Sequence, residues 1–275
     1  MQQPEIDLAA AESAFRAAVG RTATMVRAMS DPSLPVSGLD WTVGDVAAHL
    51  VSDLQLTANV IAGEPHALEH VRAVTAEPTP GERTTASNAR LLTDYTVRDP
   101  VQMADDMVMW ADRLLEANTQ RDPDELFENQ SGVPMTVGTM TTIVLGEQMV
   151  HGLDISRGLK VDWPLAANDA LIVASGVMAL VPYYVDPAVA KDMTATYEIR
   201  FRGGPRSRII LTDGVAAVTT EPGRTDCWIN AEPVAFLLVG FGRVSQWGVL
   251  LRGKLVAGGR KPWLGLKFGS LLTSI

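Results

Sequence analysis

The spacing of the apolar residues changes part-way along this chain of 275 residues. Before about residue 160, long stretches carry apolar residues at helical spacing. After about Met193, short alternating runs such as TATYEIRF and RIILT stand between Gly and Pro turns. A period of 3.6 residues favours helices, and a period of two favours strands. We therefore predict an α+β chain with two domains, residues 1–165 and 166–275.

The first domain is predicted to contain four main helices, which suggests a four-helix bundle. The predicted spans are Asp7–Met29, Val43–Ile61, Asn88–Thr119 and Val137–Arg157. The segment 62–87 is too long for a simple connection in a bundle, so we expect it to be disordered or to form a lid. The second domain is expected to combine strands with apolar helices near Val234–Val239 and Trp263–Leu272.

The charge balance argues against several classes of partner. Lys and Arg number 23 against 32 Asp and Glu, a net charge of -9, which disfavours binding to nucleic-acid phosphates or anionic membranes. The N-terminus lacks the basic start and apolar block of a secretory signal, so we expect a cytoplasmic protein. The longest uncharged run, 170–185, is shorter than the roughly 20 residues of a bilayer span and contains Pro182. We expect a buried helix there and no membrane span.

Cys227 is the only cysteine, so no disulfide can form within the chain. A chain without disulfides suits a reducing compartment. The surrounding sequence DCWIN is typical of a strand, and we expect Cys227 to contribute to core packing rather than to chemistry. Any thiol chemistry would then need a thiol from outside the chain.

The second predicted helix has a well-defined start. In WTVGDV, Thr42 is placed to cap the helix, and Asp45 stands at the third helical position, where it completes a capping box. Trp41 is placed to pack on Val46 as a hydrophobic staple. The helical register is therefore fixed from this cap onward.

His49 lies on the flank of the apolar stripe that begins at this cap, and Asp53 follows one turn later. We expect His49 at the margin of the core. Position alone favours a packed or half-exposed histidine over a ligand.

The fourth predicted helix carries polar residues on its apolar side. Glu147 falls near the centre of that side, with His151 and Asp154 beside it. A buried carboxylate must be protonated, paired with a cation or bound to a metal. Two interpretations stay open: a buried Glu–His hydrogen bond, or a metal site to which His49 adds a third ligand and in which one position stays open. His66 and His70 repeat the spacing, but they stand in a polar segment that we expect to be solvated.

The motifs WTVGDVAAHLVSDLQ and GEQMVHGLDISRGL together resemble the paired signature of the mycothiol-dependent maleylpyruvate isomerase family, over about the first 160 residues. The resemblance implies a DinB-like four-helix bundle in which His49, Glu147 and His151 hold a divalent metal, usually zinc. Asp154 is a catalytic candidate that can orient an imidazole, although a solvated or capping role is equally open. We name Asp53 as a cofactor-binding candidate.

The run from Cys227 to Leu272 resembles the sterol carrier protein type of domain, which implies a smaller α+β domain. Its apolar helices 236–239 and 263–272 either pack fully or line a groove for an apolar ligand. In the isomerase family, a C-terminal domain supplies an arginine for the substrate carboxylate. We select Arg243 as the catalytic candidate, but no single arginine matches the family position. The full set is Arg200, Arg202, Arg206, Arg208, Arg224, Arg243 and Arg252.

Zinc and mycothiol are thus the expected cofactors. A zinc-bound thiolate would attack a small electrophilic substrate, giving isomerisation or thiol transfer, with the segment 63–87 as a shield. Hydrolysis by zinc-bound water is disfavoured because the helix lacks the general-base glutamate of an H-E-x-x-H motif. The remaining alternative is a non-catalytic carrier of an apolar or acyl ligand. We expect a monomer or homodimer.

Overall fold

The computed structural model of the chain describes residues 4–64, 66–72 and 77–272. The chain divides into two compact units. One comprises Asp7–Pro78 and Glu82–Leu165, and the other comprises Ala166–Ile275 with Met1–Ile6 and Thr79–Gly81. The domain ranges 1–165 and 166–275 stay a prediction as independently folding domains.

The first unit is mostly helical. Its elements are α1 (Leu8–Arg27), α2 (Val43–Ile61), α3 (Glu69–Arg72), α4 (Pro80–Asp94), α5 (Pro100–Thr119), β1 (Phe127–Glu128), β2 (Pro134–Met135) and α6 (Val137–Leu159). Helices α1 and α2 each pack against both α5 and α6, so these four helices form the bundle. The core is filled by large apolar side chains that are almost completely buried, among them Phe15, Leu50, Leu54, Met107 and Leu114.

The prediction of one helix over Asn88–Thr119 is wrong. Helix α4 ends at Asp94, and α5 begins at Pro100. The side chain of Asp99 accepts a hydrogen bond from the backbone N–H of Gln102 and so caps α5. Pro100 occupies the first helical position, where a missing N–H costs nothing. The Asp-Pro pair therefore starts a new helix.

The segment 62–87 is more ordered than its composition suggests. It contains α3, and α4 begins within it at Pro80. Arg83 anchors α4, because its Nε donates a hydrogen bond to the backbone oxygen of Ser131 at 2.7 Å. Residues 65 and 73–76 of this segment lie outside the described residues. The expectation of a disordered segment is therefore wrong for the described part, and the lid stays a prediction.

The second unit combines helices with a sheet. Its elements are α7 (Ala167–Tyr184), α8 (Pro187–Ala190), β3 (Ala195–Phe201), β4 (Arg206–Thr212), β5 (Val215–Thr219), β6 (Cys227–Ala231), α9 (Pro233–Gly240), α10 (Gln246–Leu251), β7 (Leu255–Gly259) and α11 (Leu264–Leu271). The strand order is β5-β4-β3-β6-β7. Strands β3 and β6 are parallel, and the other pairs are antiparallel.

The apolar residues of this sheet alternate along the strands, as the sequence predicts for a sheet with one covered face. Rings from the helices meet rings from β3 on that face. Phe236 of α9 lies 5.0 Å from Phe201 between ring centroids, and Phe268 of α11 lies 5.3 Å from Tyr197. These aromatic contacts hold both apolar helices on the sheet. The sterol-carrier likeness and the apolar groove stay predictions.

The predicted fold class is confirmed: a helical N-terminal unit is followed by a unit that contains a sheet. The apolar run 170–185 forms α7, whose buried residues face the second unit's core, with Pro182 inside the helix. Within the described part of the chain, no helix combines the length and apolar character that a bilayer crossing requires.

Candidate metal centre

Helix α2 places His49 inside the bundle. The helix starts at Val43, where the Thr42 hydroxyl accepts from the backbone N–H of Asp45 and the Asp45 carboxylate accepts in return, which is the predicted capping box. His49 lies two turns from this cap and is only 1% exposed. The expectation of a marginal position is wrong, because α2 is packed on both sides by other helices.

Helix α6 supplies the other two members of the group. Glu147 and His151 stand four residues apart and share one face of the helix. The Nε2 atom of His151 lies 3.2 Å from Oε2 of Glu147, and Nε2 of His49 lies 3.4 Å from that same oxygen. The Glu147 side chain keeps 19% of its surface exposed, so one side of the group is open.

The three side chains together offer a set of metal ligands. Two imidazole nitrogens and one carboxylate oxygen, each able to bind a metal, lie within 4.8 Å of one another. In a tetrahedral zinc site with bonds of about 2.0–2.2 Å, neighbouring ligand atoms are about 3.3–3.6 Å apart. The His49–Glu147 distance of 3.4 Å falls within that range, and the His151–Glu147 distance of 3.2 Å lies just below it. The donor types also suit zinc, which takes imidazole nitrogen and carboxylate oxygen together.

Asp154 fixes the ring of His151 from the side away from Glu147. Its Oδ2 atom lies 3.0 Å from Nδ1 of His151. A carboxylate accepts only, so Nδ1 must carry a proton and donate it. The remaining nitrogen, Nε2, is then the one that faces Glu147. Many histidine metal ligands are held by such a carboxylate partner.

The charges of the group are coupled. Burial by itself would raise the pKa of Glu147, but hydrogen bonds from His151 and His49 hold it below its usual value. Burial would lower the pKa of His151, but the hydrogen bonds to Asp154 and Glu147 raise it to about 9. Without a metal, His151 therefore donates from both nitrogens, as an imidazolium.

Asp53 is a second buried carboxyl near this group, on α2 one turn after His49. Burial and the negative charge of Glu147 together raise the pKa of Asp53 to about 7, while His151 acts in the opposite direction. Asp53 is 7% exposed and is not one of the three converging groups. Its predicted role in cofactor binding stays a prediction.

Trp41 is the neighbour whose contact the sequence does not predict. Its ring centroid lies 5.2 Å from that of His49 and 6.3 Å from that of His151. Its place directly before the N-cap predicts only a staple onto Val46. Helical periodicity describes the face of a helix and gives no information about a ring that precedes it. A tryptophan next to the start of the histidine-bearing helix is the only available signal.

The remaining candidates have other partners. The arginine candidate Arg243 donates from Nη1 to the backbone oxygen of Phe241 at 2.6 Å, in the second unit. Cys227 is buried at the start of β6, and burial raises the pKa of its thiol. His66 is exposed and pairs with Glu69 at 2.8 Å, as expected for a solvated residue. The side chain of His70 lies outside the described residues.

The sequence of the helical unit matches a known protein family. Residues 15–156, slightly more than half of the chain, match the profile of the mycothiol maleylpyruvate isomerase N-terminal domain. Curated protein sequences give no significant match.

Two solved structures share the fold: the mycothiol-dependent maleylpyruvate isomerase and a histidine-to-alanine mutant of it. Each has a TM-score of 0.50 and 12% identity, and the alignment covers 94% of this chain and 96% of the other. At this identity, the similarity shows the fold alone. The family follows from the profile match across the bundle: this chain belongs to the mycothiol maleylpyruvate isomerase N-terminal domain family.

Proposed function

We propose that this protein is a metal-dependent enzyme that uses mycothiol to act on a small electrophile, as an isomerase or a thiol transferase. The observation that carries the proposal is the convergence of His49, Glu147 and His151 at ligand spacing inside the bundle. Family membership supports mycothiol as the thiol, since two structures of the same fold are described as mycothiol-dependent.

The three side chains would hold the metal through Nε2 of each histidine and a carboxylate oxygen of Glu147. A bound divalent cation such as zinc stabilises the thiolate of an incoming thiol, whose pKa is otherwise about 8.5. Asp154 would keep Nδ1 of His151 protonated, so that Nε2 presents a lone pair to the metal. Glu147 adds a negative charge that favours a cation at this position.

Two further residues have proposed roles. Asp53 would contact the thiol cofactor, because it is a buried carboxyl within electrostatic range of Glu147 and His151. Arg243 would bind the anionic group of the substrate, for which a guanidinium is well shaped. Cys227 would not take part, because burial and a raised pKa both disfavour its thiolate.

The proposed isomerisation depends on a thiolate that first adds to the substrate and is then lost from it. A thiolate that adds to one carbon of an activated double bond would turn that bond into a single bond and move its electron pair onto the activating carbonyl group. After rotation, return of that electron pair would expel the same thiolate and restore the double bond with the other geometry. The thiol is regenerated, so mycothiol acts catalytically. If the substrate carries a leaving group instead, the same attack gives transfer, and mycothiol is consumed.

Turnover with mycothiol tests this proposal. The purified protein should convert maleylpyruvate or another activated electrophile only when mycothiol is present. Chelation should abolish the conversion, and added zinc should restore it. The competing carrier hypothesis predicts retention of an apolar ligand by the second unit, with no mycothiol-dependent conversion of any electrophile in the screen.

A further inference from the structure

One aromatic side chain lies against both nitrogen ligands of the proposed site. Trp41 lies 5.2 Å from His49 with 49° between the ring planes, and 6.3 Å from His151 with 30° between the planes. The two imidazoles lie 4.9 Å apart at 77°. All three separations are within the range of direct aromatic contact. Trp41 therefore touches ligands from two different helices, α2 and α6.

The backbone of Trp41 is held on both sides. Its carbonyl oxygen accepts from the N–H of Val36 at 3.0 Å. The next residue, Thr42, is the N-cap of α2 and bonds with Asp45 in both directions. Asp45 is in turn paired with Arg98, whose Nη2 lies 3.0 Å from its carboxylate. The backbone that carries the indole is therefore held by the capping structure, independently of the imidazoles.

The planes of the imidazoles decide where their lone pairs point. Asp154 and Glu147 bond the two nitrogens of His151, but these contacts leave the ring free to tilt about the line that joins the two nitrogens. A large flat side chain against the ring removes that freedom. Trp41 is also half-buried, so it forms part of the wall between the two imidazoles and solvent.

We propose that Trp41 is a positioning residue that sets the planes of both imidazoles, so that Nε2 of His49 and Nε2 of His151 converge with the Glu147 carboxylate on one metal ion. This inference rests on the proposed function, because it concerns the same metal site. It goes beyond that function because it assigns the orientation of the two imidazole ligands to a residue that binds neither the metal nor the thiol.

Cobalt(II) binding tests the inference without an activity assay. Metal-free protein is titrated with Co²⁺, and the dissociation constant and the visible absorption spectrum are recorded. Trp41→Leu keeps an apolar side chain at this position but removes the flat aromatic ring that packs against the imidazoles. It should weaken Co²⁺ binding by about tenfold, the lower end of what loss of an outer-shell partner costs, and should change the spectrum. Trp41→Phe keeps an aromatic plane, so its Co²⁺ affinity and its absorption spectrum should both be close to those of the wild type.

Trp163 provides the matched control. Its indole N–H donates to the backbone oxygen of Met149 at 2.9 Å, so it supports α6 through the helix backbone. Trp163→Leu should lower the melting temperature at least as much as Trp41→Leu does. It should nevertheless leave the Co²⁺ spectrum unchanged, because the ring planes of the ligands are not affected.

Three results would overturn the inference. If Trp41→Leu binds Co²⁺ with the wild-type dissociation constant and spectrum, Trp41 only staples the helix. If Trp41→Leu and Trp163→Leu change the spectrum equally, the change reflects general loosening of the bundle. If the wild-type protein binds no Co²⁺, the proposed metal site itself fails, and that result is distinguishable because it appears before any variant is compared.

Discussion

Nδ1 of His151 donates a hydrogen bond to the carboxylate of Asp154 at 3.0 Å, within the same helix. This contact orients the His151 ring so that Nε2 faces Glu147, and it keeps the proton on Nδ1 when Nε2 loses its own. Both residues are buried, so the bond is shielded from water. The relationship connects the proposed metal ligands to a carboxylate outside the group of His49, Glu147 and His151.

Loss of this carboxylate should weaken the metal site without destroying it. Asp154→Ala is expected to reduce zinc affinity by about 10- to 100-fold, because the His151 ring loses its orienting partner. A competition titration with a chromophoric chelator measures this change. Asp162→Asn, on an exposed aspartate of the same unit, is the control and should bind zinc like the wild type. Unchanged zinc affinity in Asp154→Ala would show that Asp154 is structural only.

The nucleophile should come from outside the chain. Cys227→Ser should leave mycothiol-dependent turnover within a few fold, because this thiol is buried and its pKa is raised. His151→Ala should abolish metal binding and activity together, because a three-ligand site seldom survives the loss of one ligand. Steady-state rates and metal content of both variants provide the test. If Cys227→Ser is inactive while His151→Ala stays active, the result would point to covalent cysteine catalysis.

Zinc affinity should depend on pH because the metal competes with a proton. His151 without metal has a pKa of about 9, above its ordinary value of 6.5, so it binds a proton across the neutral range. Zinc must displace that proton. Apparent affinity should therefore rise by up to about tenfold per pH unit as pH increases toward 9, and then level off. Affinity measured at several pH values between 6.5 and 10 would reveal this slope.

The same pKa gives the opposite trend for stability of the metal-free protein. The folded protein binds this proton more tightly than the unfolded chain does, so the stabilisation is complete below pH 6.5 and is lost as pH rises through 9. Melting temperature after chelation should fall across this window. His151→Gln, which cannot bind the proton, should show a flatter profile. A wild-type profile as flat as that of the variant would contradict the raised pKa.

Gly152 should tolerate no side chain. A Cβ at this position would collide with the Trp163 ring, which is held by its bond to the Met149 carbonyl. Gly152→Ala is expected to destabilise the fold by about 1–3 kcal/mol, as overpacking does. Gly20 in α1 is the control, because a Cβ there meets no described atom within 4 Å. Gly20→Ala should stabilise by about 0.5–1 kcal/mol. Denaturant unfolding of both variants measures the contrast.

The sequence predicts α2 accurately because both its start and its apolar face are encoded locally. The capping box fixes Val43 as the first residue, and the predicted end at Ile61 agrees with the structure. Helix α6 begins at the predicted Val137 but continues to Leu159, two residues beyond the predicted end. Its C-cap residue, Lys160, adopts a left-handed conformation with φ 58°. A lysine gives no sequence signal for such a cap, which usually falls on glycine.

Other features depend on information that periodicity does not contain. The break between α4 and α5 interrupts a continuous helical pattern, and only the Asp99-Pro100 pair indicates it. His49, Glu147 and His151 lie on faces that the helical period predicts, so their convergence follows once the bundle is assumed. The burial of His49 and its contact with Trp41 depend on how α2 and α6 pack against each other, which the period of one helix does not specify.

Metal content of the purified protein tests the central claim most directly. The wild-type chain, loaded with zinc and freed of excess ion by gel filtration, should retain about one zinc per chain, because the three ligands converge on one position. The same treatment of Glu147→Ala should leave almost none, with the helical circular dichroism signal unchanged. Wild-type protein that retains no metal, or a variant that retains as much as the wild type, would contradict the assignment of His49, Glu147 and His151 as the metal site.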